Sequence, residues 1–132
     1  MREILFRGRG NTKYNDGEWY YGVPIRDFEG DWQICTDNSK RVVIPETIGQ
    51  YTGFKDKNGT KIFEGDIVYA VSKFDAADMA VVYNSAEFRL VLCEDYKTYK
   101  PGLRFKCYER FNMQVIGNIY DNPELLGGEN DA

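Results

Sequence analysis

The sequence predicts an all-β protein, built mainly of strands, that ends in a short helical turn. Aromatic residues make up 15% of the 132 residues, and aromatic side chains pack well on the half-buried faces of β-sheets. The 13 Gly, with one Asp-Gly and one Asn-Gly step among them, punctuate short apolar runs of strand length. There is no heptad pattern and no internal repeat. At 15.3 kDa the chain has the size of one domain or two small lobes.

Four short strands are expected in an N-terminal β lobe, residues 1–45. Asp16-Gly17 separates the first two apolar runs, and this dipeptide favours a hairpin because the turn requires positive φ. Pro45 removes a backbone donor and restricts Ile44 to extended geometry, so we place the end of the lobe there. The four runs cover residues 2–9, 18–25, 31–36 and 41–44.

Residues 46–126 are predicted to form a small β-barrel. Asn58-Gly59 is expected at the corner of a hairpin, and Gly65-Asp66 leads into the most apolar runs of the chain. Within the third of these runs, Phe88, Leu90 and Leu92 share one face. The runs after the hairpin cover residues 67–71, 79–83, 87–93 and 114–120.

A helical turn and an acidic tail are expected at the C-terminus. Asn122 in the N-cap position and Pro123 in the first helical position mark the start of the turn. Residues 127–132 are predicted to be a flexible acidic tail. The net charge is −4, but residues 121–132 hold four acids and no Lys or Arg, which leaves 21 − 4 = 17 acids against 17 bases elsewhere. The acidic pI therefore argues only weakly against nucleic-acid binding.

Composition excludes several catalytic and metal chemistries. The absence of histidine removes the commonest general base and metal ligand. Cys35, Cys93 and Cys107 form no CxxC pair, so we expect them to be small apolar residues rather than zinc or redox ligands. An EF-hand alignment would place Phe54 and Gly65 at ligand positions, and there is no GxxxxGK phosphate loop. We therefore expect a protein that is not an enzyme, with no cofactor and no metal.

The cellular location is predicted from cysteine usage and hydropathy. An odd, sparse set of cysteines fits a reducing compartment. No apolar run approaches the roughly 18 residues that a membrane span needs, and the N-terminus lacks a signal-peptide pattern. The expectation is a cytoplasmic protein that is neither secreted nor inserted in a membrane.

A basic and aromatic stretch over residues 96–111 is the strongest signal that folding alone does not explain. It interleaves five basic with five aromatic residues and a single acid. In a strand, its alternate basic side chains and rings would share one face, as single-stranded nucleic acid requires. The alternative is an edge strand whose charges prevent aggregation. The residues of this candidate surface for nucleic acid or a partner are Tyr99, Arg104, Lys106, Tyr108 and Arg110.

A second candidate surface consists of aromatic residues. Adjacent residues of a strand point to opposite faces, so a run such as Trp19-Tyr20-Tyr21 must expose at least one ring to solvent or to a partner. The predicted aromatic interface contains Trp19, Tyr21, Trp32 and Tyr51.

Carboxylates around residue 65 allow two interpretations. Glu64, Asp66, Asp75 and Asp78 could form a hydrolytic pair, but nothing in the sequence places them together. The favoured interpretation is that Glu64-Gly65-Asp66 caps the turn into the next strand.

Two long strings carry a family resemblance. Residues 44–68 read IPETIGQYTGFKDKNGTKIFEGDIV and residues 115–126 read VIGNIYDNPELL. With the opening MREILFR, they resemble the YopX-like family of phage and prophage proteins. The resemblance implies a small intracellular protein, mostly β, whose segment from Gly65 onward is similar to the start of an SH3-like barrel. It implies no reaction and no catalytic residues, and it gives no support to the basic stretch.

The sequence thus favours a non-catalytic accessory module that binds another protein or itself. A nucleic-acid-binding module that uses residues 96–111 is the alternative.

Overall fold

A computed structural model describes residues 3–71, 76–84, 87–98, 103–104 and 112–126 of the chain. These residues form mainly β-strands in two antiparallel sheets, which confirms the predicted class. The strands are β1 (Phe6–Arg9), β2 (Trp19–Arg26), β3 (Trp32–Cys35), β4 (Lys40–Val42), β5 (Gly49–Lys55), β6 (Lys61–Phe63), β7 (Asp66–Val71), β8 (Ala76–Asn84), β9 (Glu87–Leu92), β10 (Leu103–Arg104) and β11 (Met113–Asn118).

The chain divides into two compact units, Met1–Gly53 and Phe54–Ala132. The strand order of the first sheet is β4-β3-β2-β1-β5-β6, and that of the second is β10-β9-β8-β7-β11. A short 3-10 turn, Pro45–Thr47, precedes β5 and begins at the proline, whose missing N–H costs nothing in the first turn of a helix.

The first unit buries a small cluster on one face of its sheet. Ile34 and Val43 are fully buried there, and Gly8 lies so close that an added Cβ would be 3.1 Å from Val43 and 3.2 Å from Ile34. A single bridge between Gly10 and Val43 links the end of β4 to the end of β1. Glycine at these positions therefore lets the strands approach closely around two branched side chains.

The same type of turn is found in both units. In the first unit, Asp27 N–H donates to Asp31, and Gly30 N–H donates to Asp27 with Gly30 at φ +90°. In the second, Asp56 and Thr60 form the equivalent bond around Gly59, at φ +83°. The hairpin predicted at Asn58-Gly59 is therefore present, but its loop has three residues rather than two, with glycine in the left-handed position.

The second unit contains the larger core. Its centre is a set of fully buried side chains, one on β6 and the others on one face of the second sheet, flanked by half-buried Phe54, Phe88 and Leu92. A smaller cluster on the other face involves Leu126 of the C-terminal 3-10 turn, Pro123–Leu126. The central side chains are Ile62, Val68, Ala70, Met79, Val81, Leu90 and Met113.

A closed SH3-like barrel is not confirmed. In the described part of the chain the second sheet remains open, with β10 and β11 as its outer strands. The outer edge of β11 is covered by the Asp56 turn: Lys57 N–H donates to Met113 at 3.0 Å, and Val115 N–H donates to the Asp56 carboxylate at 2.8 Å. Because these groups are already paired, they cannot form a closing ladder.

The C-terminal turn forms as predicted. Leu125 N–H donates to Asn122, and the Asn122 side chain accepts from Asn118 N–H at 3.1 Å. Residues 127–132, predicted to be an acidic tail, lie outside the described residues.

The predicted cap around Gly65 is also observed. Asp66 is buried and accepts from Phe63 N–H at 2.7 Å, while Gly65 has φ +94°. This carboxylate has a structural role in the turn, as the favoured interpretation required.

Cys93 is buried, as expected for a small apolar residue, whereas Cys35 is half-buried and Cys107 lies outside the described residues. Burial, with a smaller contribution from the Asp78 charge, raises the pKa of the Cys93 thiol to about 11. We expect iodoacetamide at about pH 8 to alkylate Cys93 of the native protein far more slowly than that of the unfolded protein, because only the thiolate reacts. Peptide mass spectrometry measures both rates, and equal rates would contradict the assignment.

Candidate interaction surface

Three of the four predicted interface rings lie on one face of the first sheet. Tyr21 is opposite Arg7 in register, and Trp19 is opposite Arg9. Gly49 of β5 pairs with Arg7, and Tyr51 lies two positions after Gly49 on the same strand. Tyr51 therefore belongs to the same face. Trp32 lies on the opposite face, since it pairs with Arg26 of β2. The prediction therefore combined rings from both faces of the sheet.

Burial differs strongly along this face. Tyr51 is 4% exposed and Trp19 is half-buried, whereas Tyr21 is 46% exposed. The part of the face on β5 is therefore covered, and the part on β2 is open to solvent.

Two arginines stack on Trp19. The Arg7 guanidinium lies 4.6 Å from the centre of the Trp19 ring, and that of Arg9 lies 5.6 Å away. Arg9 also donates to the carbonyl of Gly17. Cation–π contacts of this kind fix the ring and give a rigid base beside Tyr21.

An apolar row continues from Tyr21 along β2. Val23 is 56% exposed and Ile25 is 40% exposed, and the three residues share a face because they are two positions apart. Their cross-strand neighbours include Cys35 opposite Val23. We call Tyr21, Val23 and Ile25 the β2 row. Contiguous exposed apolar side chains of this size are typical of interaction sites.

The edge beside the β2 row is protected against strand addition. β1 pairs with β2 only as far as Gly22, so residues 23–26 of β2 pair with β3 alone. Pro24 lies in this segment and has no N–H to offer to an added strand. A partner is therefore expected to contact the face of β2 through side chains rather than to extend the sheet.

The opposite face of β2 contains a polar cluster. The Tyr20 hydroxyl donates to Asp16, and the Arg41 guanidinium lies 5.4 Å from the Tyr20 ring centre. The hydrogen bond lowers the pKa of the Asp16 carboxyl and raises the pKa of Tyr20. This cluster fixes the loop between β1 and β2.

Phe28 is a second exposed apolar feature of the first unit. It occupies the tip of the turn between β2 and β3 and is fully exposed. Asp27, Glu29 and Asp31 belong to the same turn, with one carboxylate oxygen of each within 4.8 Å of the others. Asp27 already accepts from the N–H groups of Glu29 and Asp31 and from the Gln33 amide, so it acts as the turn's cap.

The predicted basic and aromatic surface is described only in part. Arg104 lies in β10, the outer strand of the second sheet, directly opposite Arg89 of β9. Arg89 forms a 2.8 Å ion pair with Glu87. The other residues of that surface, Tyr99, Lys106, Tyr108 and Arg110, lie outside the described residues.

Val23, Ile25 and Phe28 are exposed residues outside both surfaces predicted from the sequence. Large apolar side chains alternate with Gly22 and Pro24 from Tyr21 to Ile25, which predicts a strand with one apolar face. The same alternation is also typical of a buried face. Nothing in the sequence distinguishes a covered from an uncovered row. For Phe28, the usable signal is its place between acidic residues in an Asp-x-x-Gly segment, which predicts a turn.

No helix in the described stretches of the chain has the length and apolar character needed to cross a membrane.

An antiparallel, mainly β protein with two small units and an exposed apolar sheet face is the class that these features define. The family model described as YopX protein matches residues 9–127, so the chain belongs to the YopX family. The resemblance noted in the sequence is thereby confirmed.

The fold is similar to the crystal structure of protein EF1440 from Enterococcus faecalis. The two share 25% identity with a TM-score of 0.53, over 96% of this chain and 100% of that chain. No curated protein matches the chain.

Proposed function

We propose that this YopX family member is a non-catalytic module that binds a protein partner through the β2 row. The supporting observation is the uncovered row of Tyr21, Val23 and Ile25, each at least 40% exposed, on one face of a strand. Water contact of three large apolar side chains is unfavourable, and a partner surface would remove it.

The Arg7 and Arg9 stack supports the same proposal. It holds Trp19 in place before binding, so less conformational entropy is lost when a partner packs beside it. The protein is proposed to act in the cytoplasm of a host cell as a phage or prophage product, an origin supported by the family resemblance.

The test is affinity capture from cells that naturally contain the chain. The tagged protein is compared with the double variant Val23→Thr/Ile25→Thr, in which threonine keeps the β-branched shape and its strand preference. We expect recovery of the partner to fall about tenfold, because central apolar contacts dominate interface energy. Sedimentation of the purified chain distinguishes a second copy from a different protein.

A matched control is available in the second unit. Val71 on β7 and Ile116 on β11 are each 38% exposed. The double variant Val71→Thr/Ile116→Thr therefore makes the same two side-chain changes outside the β2 row. It should leave recovery unchanged. Equal recovery with both double variants would reject the β2 row as the binding surface.

A nucleic-acid-binding module remains the second candidate, favoured by one observation. Arg104 belongs to β10, the outer strand of the second sheet, where it pairs in register with Arg89 of β9. Repeating the same affinity capture with and without nuclease tests this candidate. Material that leaves with nuclease or with raised salt would favour this candidate over the protein partner.

A further inference from the structure

The turn that carries Phe28 is closed by several hydrogen bonds. Asp27 N–H donates to Asp31 at 2.9 Å, Gly30 N–H donates to Asp27 at 3.1 Å, and the Asp27 carboxylate accepts from Glu29 and Asp31 at 2.9 Å each. Arg26 also donates to Gly30 at 3.3 Å. A side chain at this tip is therefore presented from a fixed backbone.

Folding does not require an aromatic residue at this position. The turn at Asp56 has the same hydrogen bonds, with its carboxylate accepting from Asn58 at 2.8 Å and Thr60 at 3.0 Å, and there Lys57 follows the aspartate. Phe28 is fully exposed and so gains nothing from burial in its own chain. The two turns share a backbone design and differ in what they present to solvent.

The surroundings of Phe28 are acidic. Asp27, Glu29 and Asp31 contribute three negative charges and Arg26 one positive charge, so residues 26–31 have a formal charge of −2. Such a tip repels phosphate groups, whether of nucleic acid or of lipid, and attracts basic side chains.

We propose that Phe28 is an aromatic anchor that inserts into an apolar pocket of a partner protein bordered by lysine or arginine side chains. Rigid aromatic anchors in central pockets contribute most to interface energy, and complementary charges at the rim set orientation and association rate. Phe28 is not a member of the β2 row, which ends at Ile25. The inference rests on the proposed function only in requiring that the chain binds a protein.

The experiment is site-specific photo-crosslinking in cells that naturally contain the full chain. Phe28 is replaced by p-benzoylphenylalanine, which keeps an aromatic side chain, and Lys57 is replaced by the same residue as the control at the matching turn position. We expect a crosslinked protein at position 28, at a yield about tenfold above position 57. Mass spectrometry of the crosslinked peptide should find apolar residues next to Lys or Arg.

A variant with fewer acidic residues beside Phe28 tests the expected attraction to Lys or Arg side chains at the border of the partner pocket. Glu29→Gln/Asp31→Asn leaves the Asp27 cap intact and should lower capture of the crosslinked protein about fivefold near 0.1 M salt, with the difference lost near 1 M salt. Asp37→Asn/Glu124→Gln removes two exposed acids elsewhere and should have no effect.

Each other outcome overturns the inference. Equal yields at positions 28 and 57, a crosslinked segment without basic residues, or crosslinking to nucleic acid or lipid would show that Phe28 is not such an anchor. If Val23→Thr/Ile25→Thr abolishes capture while Phe28→Ser does not, the β2 row stands and the anchor is rejected. The opposite result rejects the β2 row and keeps the anchor.

Discussion

Replacing Asp56 by Asn is expected to lower the free energy of unfolding of the second unit by about 2 kcal/mol. Asp56 is buried, and its two oxygens accept from the N–H groups of Asn58, Thr60 and Val115. The amide of Asn keeps one acceptor oxygen but turns an N–H₂ group toward the N–H of Val115. Two donors then face each other in a buried site, and one of the two hydrogen bonds that cover the β11 edge is lost.

Asp27→Asn is the matched control. One oxygen of the Asp27 carboxylate accepts from the N–H groups of Glu29 and Asp31, as the Asp56 carboxylate does in its own turn. The other oxygen accepts from the side-chain amide of Gln33, and this amide can rotate to offer an oxygen to the new N–H₂ group. We expect a change within about 0.5 kcal/mol. Urea unfolding followed by far-ultraviolet circular dichroism measures both variants. Similar losses of unfolding free energy in the two variants would mean that the hydrogen bond from Val115 to Asp56 contributes little to stability.

Replacing Gly22 by Ala is expected to destabilise the first unit by about 3 kcal/mol. An added Cβ would lie 2.2 Å from the carbonyl oxygen of Cys35 and 2.9 Å from its carbonyl carbon. Both are backbone atoms, so the β2 and β3 strands must separate to relieve the clash. Because β2 carries the β2 row, loss of partner capture should accompany the loss of stability.

Gly30→Ala, also in the first unit, is the control for the general effect of replacing a glycine. The added Cβ would meet only the end of the Arg26 side chain, at an ordinary 3.6 Å, so only the positive φ of +90° is unfavourable, at a cost of about 1 kcal/mol. Both tryptophans, Trp19 and Trp32, are in the first unit, so tryptophan fluorescence reports its unfolding directly. An unchanged fluorescence midpoint in Gly22→Ala would contradict the close approach of β2 and β3.

Local features were predictable because they depend on neighbours along the chain. The hairpin at Asn58-Gly59 follows from the left-handed preference of glycine, and the cap at Asp66 follows from the reach of a short carboxylate to nearby N–H groups. The helical turn at Pro123 follows from a proline that needs no hydrogen-bond partner. Each involves atoms only a few residues apart.

The candidate surface was predicted only in part. Trp19 and Tyr21 lie on one face of β2, but Trp32 lies on the other face, because strand register decides which residues of β3 align with those of β2. Tyr51 shares the face of Tyr21 and is nevertheless buried.

The sequence by itself determined the strand-rich class, the turn positions and the YopX family, because residue type controls local backbone preference and long strings identify relatives. Only the tertiary structure decided which side of β2 stays uncovered and that Asp56 reaches Val115, which is 59 residues away. Those outcomes depend on how strands pair across long stretches of chain, and a one-residue change of register would turn every side chain to the other face.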